Sequence, residues 1–139
     1  MTEPLLSLCI AGGKSHFAAG DELVCEYQID AVEPAEIQAV EASVLWYTEG
    51  KGEDDLGVHF FERRLPADAD DGDLRPMRRL RTRLPNSPLT YGGSILSIQW
   101  CVRLRLFLRR GREYAVEQPF TLGSVPAMMP VVVAESDEP

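Results

Sequence analysis

Arginine is the residue type whose spacing in this chain points to chemistry. Ten arginines and no acidic residue occur between Arg75 and Arg112. Within that span, alternation with apolar residues places arginines on one face of each of two predicted strands. These positions are Arg79, Arg81 and Arg83 on the first strand and Arg103 and Arg105 on the second. Guanidinium groups arrayed in this way suit carboxylate or phosphate groups.

Two interpretations of these five arginines are open. One is a binding face for an anionic partner, such as an acidic protein segment, a phosphopeptide or nucleic acid. Nucleic acid is disfavoured, because no exposed aromatic residues interleave with the arginines and the net charge is −8. The other interpretation is a solvated face neutralised by Glu113, Glu117 and the acidic loops.

Catalytic signatures are absent from the sequence. Its two histidines, His16 and His59, are far apart, and no nucleophile elbow, phosphate-binding loop, dinucleotide fingerprint or zinc-protease motif occurs. His59 precedes Phe60 and Phe61 on a predicted strand, where a structural role is expected. We therefore predict no catalytic residue and a non-enzymatic protein.

Metal and cofactor sites are not predicted either. The three cysteines, Cys9, Cys25 and Cys101, are widely spaced and odd in number, which disfavours a disulfide framework or a zinc site. The acidic stretch at residues 68–73 resembles a calcium loop in composition but lacks the bidentate glutamate. We expect a solvated loop there and no bound cofactor.

The strongest structural pattern runs from Leu96 to Leu108, where every even position is apolar and most odd positions are polar. Strict alternation of this kind predicts a strand with one buried face. Six further segments carry strand-like patterns, at residues 5–10, 22–30, 37–49, 57–65, 77–85 and 113–122. A helix over residues 35–42 is an alternative for one of them. Seven strands without a long amphipathic helix predict an all-β, antiparallel β-sandwich, with a closed barrel as the second choice.

Facing residues of the last hairpin must agree on which side is the core. The register that we predict pairs Leu106 with Val116 and Arg105 with Glu117. It requires a loop with an odd number of residues around positions 110–112, because a two-residue turn would place polar residues opposite core residues.

Three stretches resemble the arrestin-like β-sandwich domain, an immunoglobulin-like fold found in arrestins and in the arrestin-related subunit of retromer. The most specific is RTRLPNSPLTYGGSILSIQWCVRLRL, in which Leu84, Pro85, Pro88 and Trp100 match the family pattern and Thr90 or Tyr91 stands where serine is usual. The other two are IQAVEASVLWY and the start of an earlier strand, where the matching residues are Phe17, Gly20, Asp21, Leu23 and Cys25.

The resemblance covers residues 5–123, one sandwich where true arrestins carry two, and it implies a single-domain, bacterial-type member. It also implies a non-enzymatic adaptor or scaffold that binds other proteins. We expect one domain at residues 1–123, a flexible acidic tail at 124–139, an unidentified protein partner and self-association through an uncovered edge strand. No basic region leads into a long apolar run, which predicts a cytoplasmic protein without a membrane span.

Overall fold

A computed structural model describes residues 3–50, 54–93 and 95–123 of the chain. In these residues it contains the following strands: β1 (Leu5–Ile10), β2 (His16–Phe17), β3 (Glu22–Asp30), β4 (Ile37–Gly50), β5 (Leu56–Arg64), β6 (Arg78–Arg83), β7 (Tyr91–Gly92), β8 (Leu96–Leu108) and β9 (Glu113–Leu122). All seven predicted strands are present. The helix alternative for residues 35–42 is wrong, because a single 3-10 turn at Pro34–Glu36 leads directly into β4.

The strands form two sheets. One has the order β1-β3-β6, and the other has the order β2-β9-β8-β4-β5 with the short β7 paired to the start of β8. Neighbouring strands are antiparallel, apart from the two-residue pairing of β2 with β9. This confirms the predicted all-β sandwich of two mostly antiparallel sheets.

The core lies between the sheets and is built by the alternation read from the sequence. On β8, Trp100, Leu104 and Leu106 are buried and belong to one cluster, while Arg103 and Arg105 between them are partly exposed. Leu23 and its alternate neighbours on β3 supply the facing layer. Burial of these side chains is the main source of stability of such a fold.

The β8–β9 hairpin corrects the predicted register. Leu106 pairs with Tyr114 and Arg103 with Glu117, two residues away from the predicted partners, although each residue keeps its predicted face. The cause is the loop: the amide of Leu108 donates to the Arg112 carbonyl at 2.8 Å. That bond encloses three residues, two of which adopt the left-handed conformation, so the odd loop length is confirmed.

Residues 84–90 carry the chain from β6 to the other sheet, as the two prolines predict. The Trp100 indole Nε1 donates to the Pro88 carbonyl at 2.7 Å. The amide of Thr90 donates to the Leu122 carbonyl at 2.9 Å, and its hydroxyl accepts from the Leu122 amide at 2.8 Å. The crossing segment is thereby fastened to both β8 and β9.

The expected flexible tail, residues 124–139, lies outside the described residues and stays a prediction. Within the described part of the chain, no helix has the length and apolar character needed to cross a membrane.

Candidate functional site

The five arginines predicted to form an anionic-partner face divide between the two outer faces of the sandwich. They are Arg79, Arg81 and Arg83 on β6 and Arg103 and Arg105 on β8. Leu80 and Leu104, which alternate with them, are buried in the core, so the arginines project outward from opposite sheets. The structure therefore does not bring the two groups together on one face.

The arginines of β6 are engaged by the neighbouring strand β3. Arg79 forms a salt bridge with Glu26, with its Nε 2.9 Å from the Glu26 Oε2. Arg81 Nη1 lies 3.6 Å from Glu22 Oε1. Arg83 Nη1 donates to the carbonyl of Gly20 at 2.8 Å. Each guanidinium thus has an acceptor on β3 or in the turn that precedes it.

The arginines of β8 are paired in the same way with β9. Arg103 Nε lies 2.6 Å from Glu117 Oε2, and Arg105 Nε lies 2.9 Å from Glu113 Oε2. Arg105 Nη1 also lies 3.7 Å from Glu41 of β4. Both glutamates named from the sequence are therefore counter-charges. Such exposed pairs each contribute about 0.2–1 kcal/mol.

The counter-charges of the β6 arginines are missing from the sequence-based prediction. Glu22 and Glu26 lie beside β6 because β3 and β6 pair antiparallel although residues 31–77 separate them in the sequence. Sequence separation hides that proximity, whereas Glu113 and Glu117 lie on the adjacent arm of a hairpin. The only available signal was their alternation on β3, which places them on the face opposite Leu23 and Cys25.

His59 has structural contacts. Its Nε2 lies 2.8 Å from the Arg83 carbonyl and 3.1 Å from the Thr82 hydroxyl. A carbonyl oxygen only accepts, so Nε2 carries the hydrogen and donates to Arg83. The ring also packs edge-on to Trp100, with the centroids 6.3 Å apart. His59 therefore fastens β5 to β6 across the two sheets.

Two of the three cysteines are buried, and the Asp73 carboxyl in the acidic loop accepts hydrogen bonds. Burial raises the pKa of Cys25 and of Cys101 to about 11, while Cys9 is exposed. Hydrogen bonds from Arg75 hold the pKa of the Asp73 carboxyl below its ordinary value. No group of three metal-ligating side chains occurs across residues 3–50, 54–93 and 95–123.

Exposed apolar side chains on β5 form a surface that the sequence-based prediction missed. Leu56, Val58 and Phe61 are 55%, 52% and 55% exposed. Val58 lies opposite Leu45 of β4, which is buried but lies outside the core cluster between the sheets. Val58 therefore lies on the outer face of the six-stranded sheet, and we call Leu56, Val58 and Phe61 the β5 apolar surface.

A bulge explains why this surface escapes a search for alternation. Val44 of β4 pairs with Phe60, whereas the next residue, Leu45, pairs with Val58. His59 is therefore an extra residue in β5. Phe60 packs against the core and Phe61 points outward with Val58. Without the bulge, residues three apart would lie on opposite faces.

Strand β5 also ends its sheet. β4 is its hydrogen-bonded neighbour on one side, and no strand pairs with its other side in the part of the chain that the structure describes. The open side therefore offers backbone donors and acceptors beside the β5 apolar surface. Edge strands of this kind can pair with another extended chain.

The two sheets form an arrestin-like β-sandwich fold. Among solved structures, the chain is similar to Spo0M, a sporulation control protein from Bacillus subtilis, with a TM-score of 0.61 and 12% identity. The match covers 91% of this chain and 51% of that one, so the chain spans about half the length of Spo0M. No family model and no curated protein matches the sequence. The likeness shows the fold alone.

Proposed function

We propose that this chain is a non-enzymatic protein-interaction module, an adaptor or scaffold, whose contact surface is the β5 edge. The observation that carries the proposal is the coincidence of the β5 apolar surface with an open backbone edge. Three large apolar side chains stand more than half exposed beside it. Exposed apolar patches on a sheet edge are typical of sites where another chain adds a strand.

The recognition chemistry follows from the edge geometry. An extended segment would form main-chain hydrogen bonds with the open side of β5, which provide affinity. Alternate side chains of that segment would contact Val58 and Phe61, which provides selectivity. Arg63, which forms a salt bridge with Glu41, bounds the surface at the carboxyl end of β5. The resemblance to arrestin-like domains, which implies an adaptor, supports this proposal.

Binding of an anionic ligand by the three arginines of β6, which we call the arginine face, is the competing function. Such a ligand would have to displace the glutamates that now accept from the arginines, which subtracts from its affinity. Its contact with Arg79, Arg81 and Arg83 would also weaken steeply as salt rises. Apolar strand addition has no comparable salt dependence, so salt separates the two functions.

The test is a nuclease-treated pull-down from native lysate at low and high salt. The baits are the wild type, Val58→Lys and the triple variant Arg79→Gln, Arg81→Gln and Arg83→Gln. Each bait is first shown to melt cooperatively. We expect partners that persist in high salt, bind the triple variant and are lost with Val58→Lys. Partners lost at high salt and with the triple variant, but kept by Val58→Lys, would assign binding to the arginine face instead.

A further inference from the structure

We propose that the partner of the β5 edge is a second copy of this chain, paired antiparallel with β5 about a two-fold axis. The axis passes between His59 and Phe60. The inference rests on the proposed function, because it names the occupant of the same surface. Its basis is that β5 is complementary to itself in the spacing of its outward side chains and in the charge at its two ends.

The spacing comes from the bulge. Outward side chains on β5 are Leu56, Val58, Phe61 and Arg63, since the extra residue His59 shifts the alternation by one. The gaps between them are two, three and two residues, a pattern that is the same from either end. A two-fold axis at its centre therefore places outward residues opposite outward residues, which antiparallel pairing requires.

The pairs that this register creates are favourable. Val58 lies opposite Phe61 of the second copy, and symmetry repeats the contact, so four apolar side chains form one cluster on the outer face. Leu56 lies opposite Arg63, whose methylene groups can cover it. An unrelated partner strand would have no reason to match this spacing, whereas a second copy carries it by identity.

Charge at the two ends of the strand completes the match. Asp55 precedes β5 and Arg64 ends it. The same register places Asp55 of one copy opposite Arg64 of the other, and the symmetry repeats that contact at the far end. A parallel arrangement would instead align acidic with acidic ends. The charge pattern therefore selects the antiparallel pairing.

Disulfide trapping tests the register directly. In a Cys9→Ser background, which removes the exposed native thiol, Val58→Cys and Phe61→Cys are made as separate proteins. The register places position 58 opposite position 61 of the other copy, within disulfide range. We expect a covalent dimer after mild oxidation of the mixture and none in either protein alone. A covalent dimer in a single variant, or none in the mixture, would overturn the proposed register.

Sedimentation of the wild type tests the association itself. We expect a concentration-dependent dimer that Val58→Lys weakens by about tenfold or more in Kd. The matched control is Leu5→Lys, which alters an equally exposed apolar residue on β1 and should leave the dimer unchanged. A wild type that stays monomeric up to about 1 mM would refute the second copy as partner.

The two proposals fail in different ways. If the wild type is monomeric but Val58→Lys still loses its lysate partners, the β5 surface binds another protein and the second-copy inference is wrong. If the dimer forms in the trapped register but Val58→Lys keeps those partners, the inference stands and the adaptor surface lies elsewhere. If neither association depends on Val58, both proposals are wrong.

Discussion

Strands β5 and β6 are both sheet edges on the same side of the sandwich, yet their outer faces differ. They are joined across the sheets by His59, which donates to the Arg83 carbonyl, and by Arg78, whose Nε and Nη2 each lie 2.7 Å from a Glu62 oxygen. On β6 the outer residues are arginines whose partners are glutamates of β3 or a carbonyl of the turn before it. On β5 they are apolar, and the apolar surface has no covering element in the described residues.

The two unpaired edges therefore differ in how readily another strand can dock on them. Charged side chains discourage another strand from docking, because docking would strip water from them. The β6 edge is protected in this way, and its charges are satisfied without a partner. The β5 edge has Arg63 and a bulge, but its central outer residues are apolar, so burying them against another chain is favourable in free energy. Association should therefore concentrate on β5.

Thiol labelling should show the largest effect, because each sheet has a buried cysteine near its open edge, next to β6 in one sheet and one strand further from β5 in the other. Cys25 lies opposite Leu80 of β6, and Cys101 lies opposite Leu45, the β4 neighbour of Val58. At pH 8 we expect iodoacetamide to label Cys9 at about 10³ times the rate of the buried pair, since burial blocks the reagent and leaves few of the buried thiols ionised. Mass spectrometry of the alkylated chain measures the rates.

Two further observations connect labelling to the edges. Burial raises the pKa of both thiols to about 11, so their reaction should accelerate as pH rises from 8 to 10 and more thiolate forms. Pairing through β5 should slow the labelling of Cys101, but not of Cys25, as protein concentration rises. Equal rates for all three cysteines in the native chain would contradict the assigned burial.

A change inside β5 should have the next largest effect. In Gly57→Ala the new Cβ would lie 2.2 Å from Trp46 Nε1, so the indole must move. We expect a loss of about 1–3 kcal/mol in the free energy of unfolding, measured by urea titration. The matched control is Gly92→Ala, where no heavy atom lies within 4 Å and the loss should stay under about 0.5 kcal/mol. If the urea midpoints of the two variants were indistinguishable, the Trp46 indole would move aside without a measurable cost in stability.

Alternation in the sequence predicted much of this fold. The face of each residue on β8 and β9 followed from it, and Pro85 and Pro88 correctly marked a crossing between sheets. The exact hairpin register did not follow, because the three-residue loop lies at residues 109–111, one residue earlier than predicted, and no sequence pattern requires arginine in the left-handed conformation of Arg110.

The candidate surfaces were harder to predict for two physical reasons. The arginines were found by composition and alternation, but their division between opposite sheets depends on strand order, which alternation does not encode. The β5 apolar surface depends on the bulge at His59, which reverses the face of every later residue in the strand. A one-residue irregularity therefore adds Phe61 to the outer face that Leu56 and Val58 already occupy.

The smallest expected effect concerns the charged edge. A double-mutant cycle of Arg79→Ala and Glu26→Ala should give a coupling of about 0.2–1 kcal/mol, because both side chains are partly exposed and solvent screens their attraction. At about 1 M salt, where the screening length falls to about 3 Å, this coupling should decrease. Association through β5 should persist under the same conditions, because it removes apolar surface from water. A coupling that salt leaves unchanged would instead mean that the Arg79–Glu26 pair is a desolvated structural contact. The contrast between a charged edge screened by solvent and an apolar edge that associates would then no longer hold.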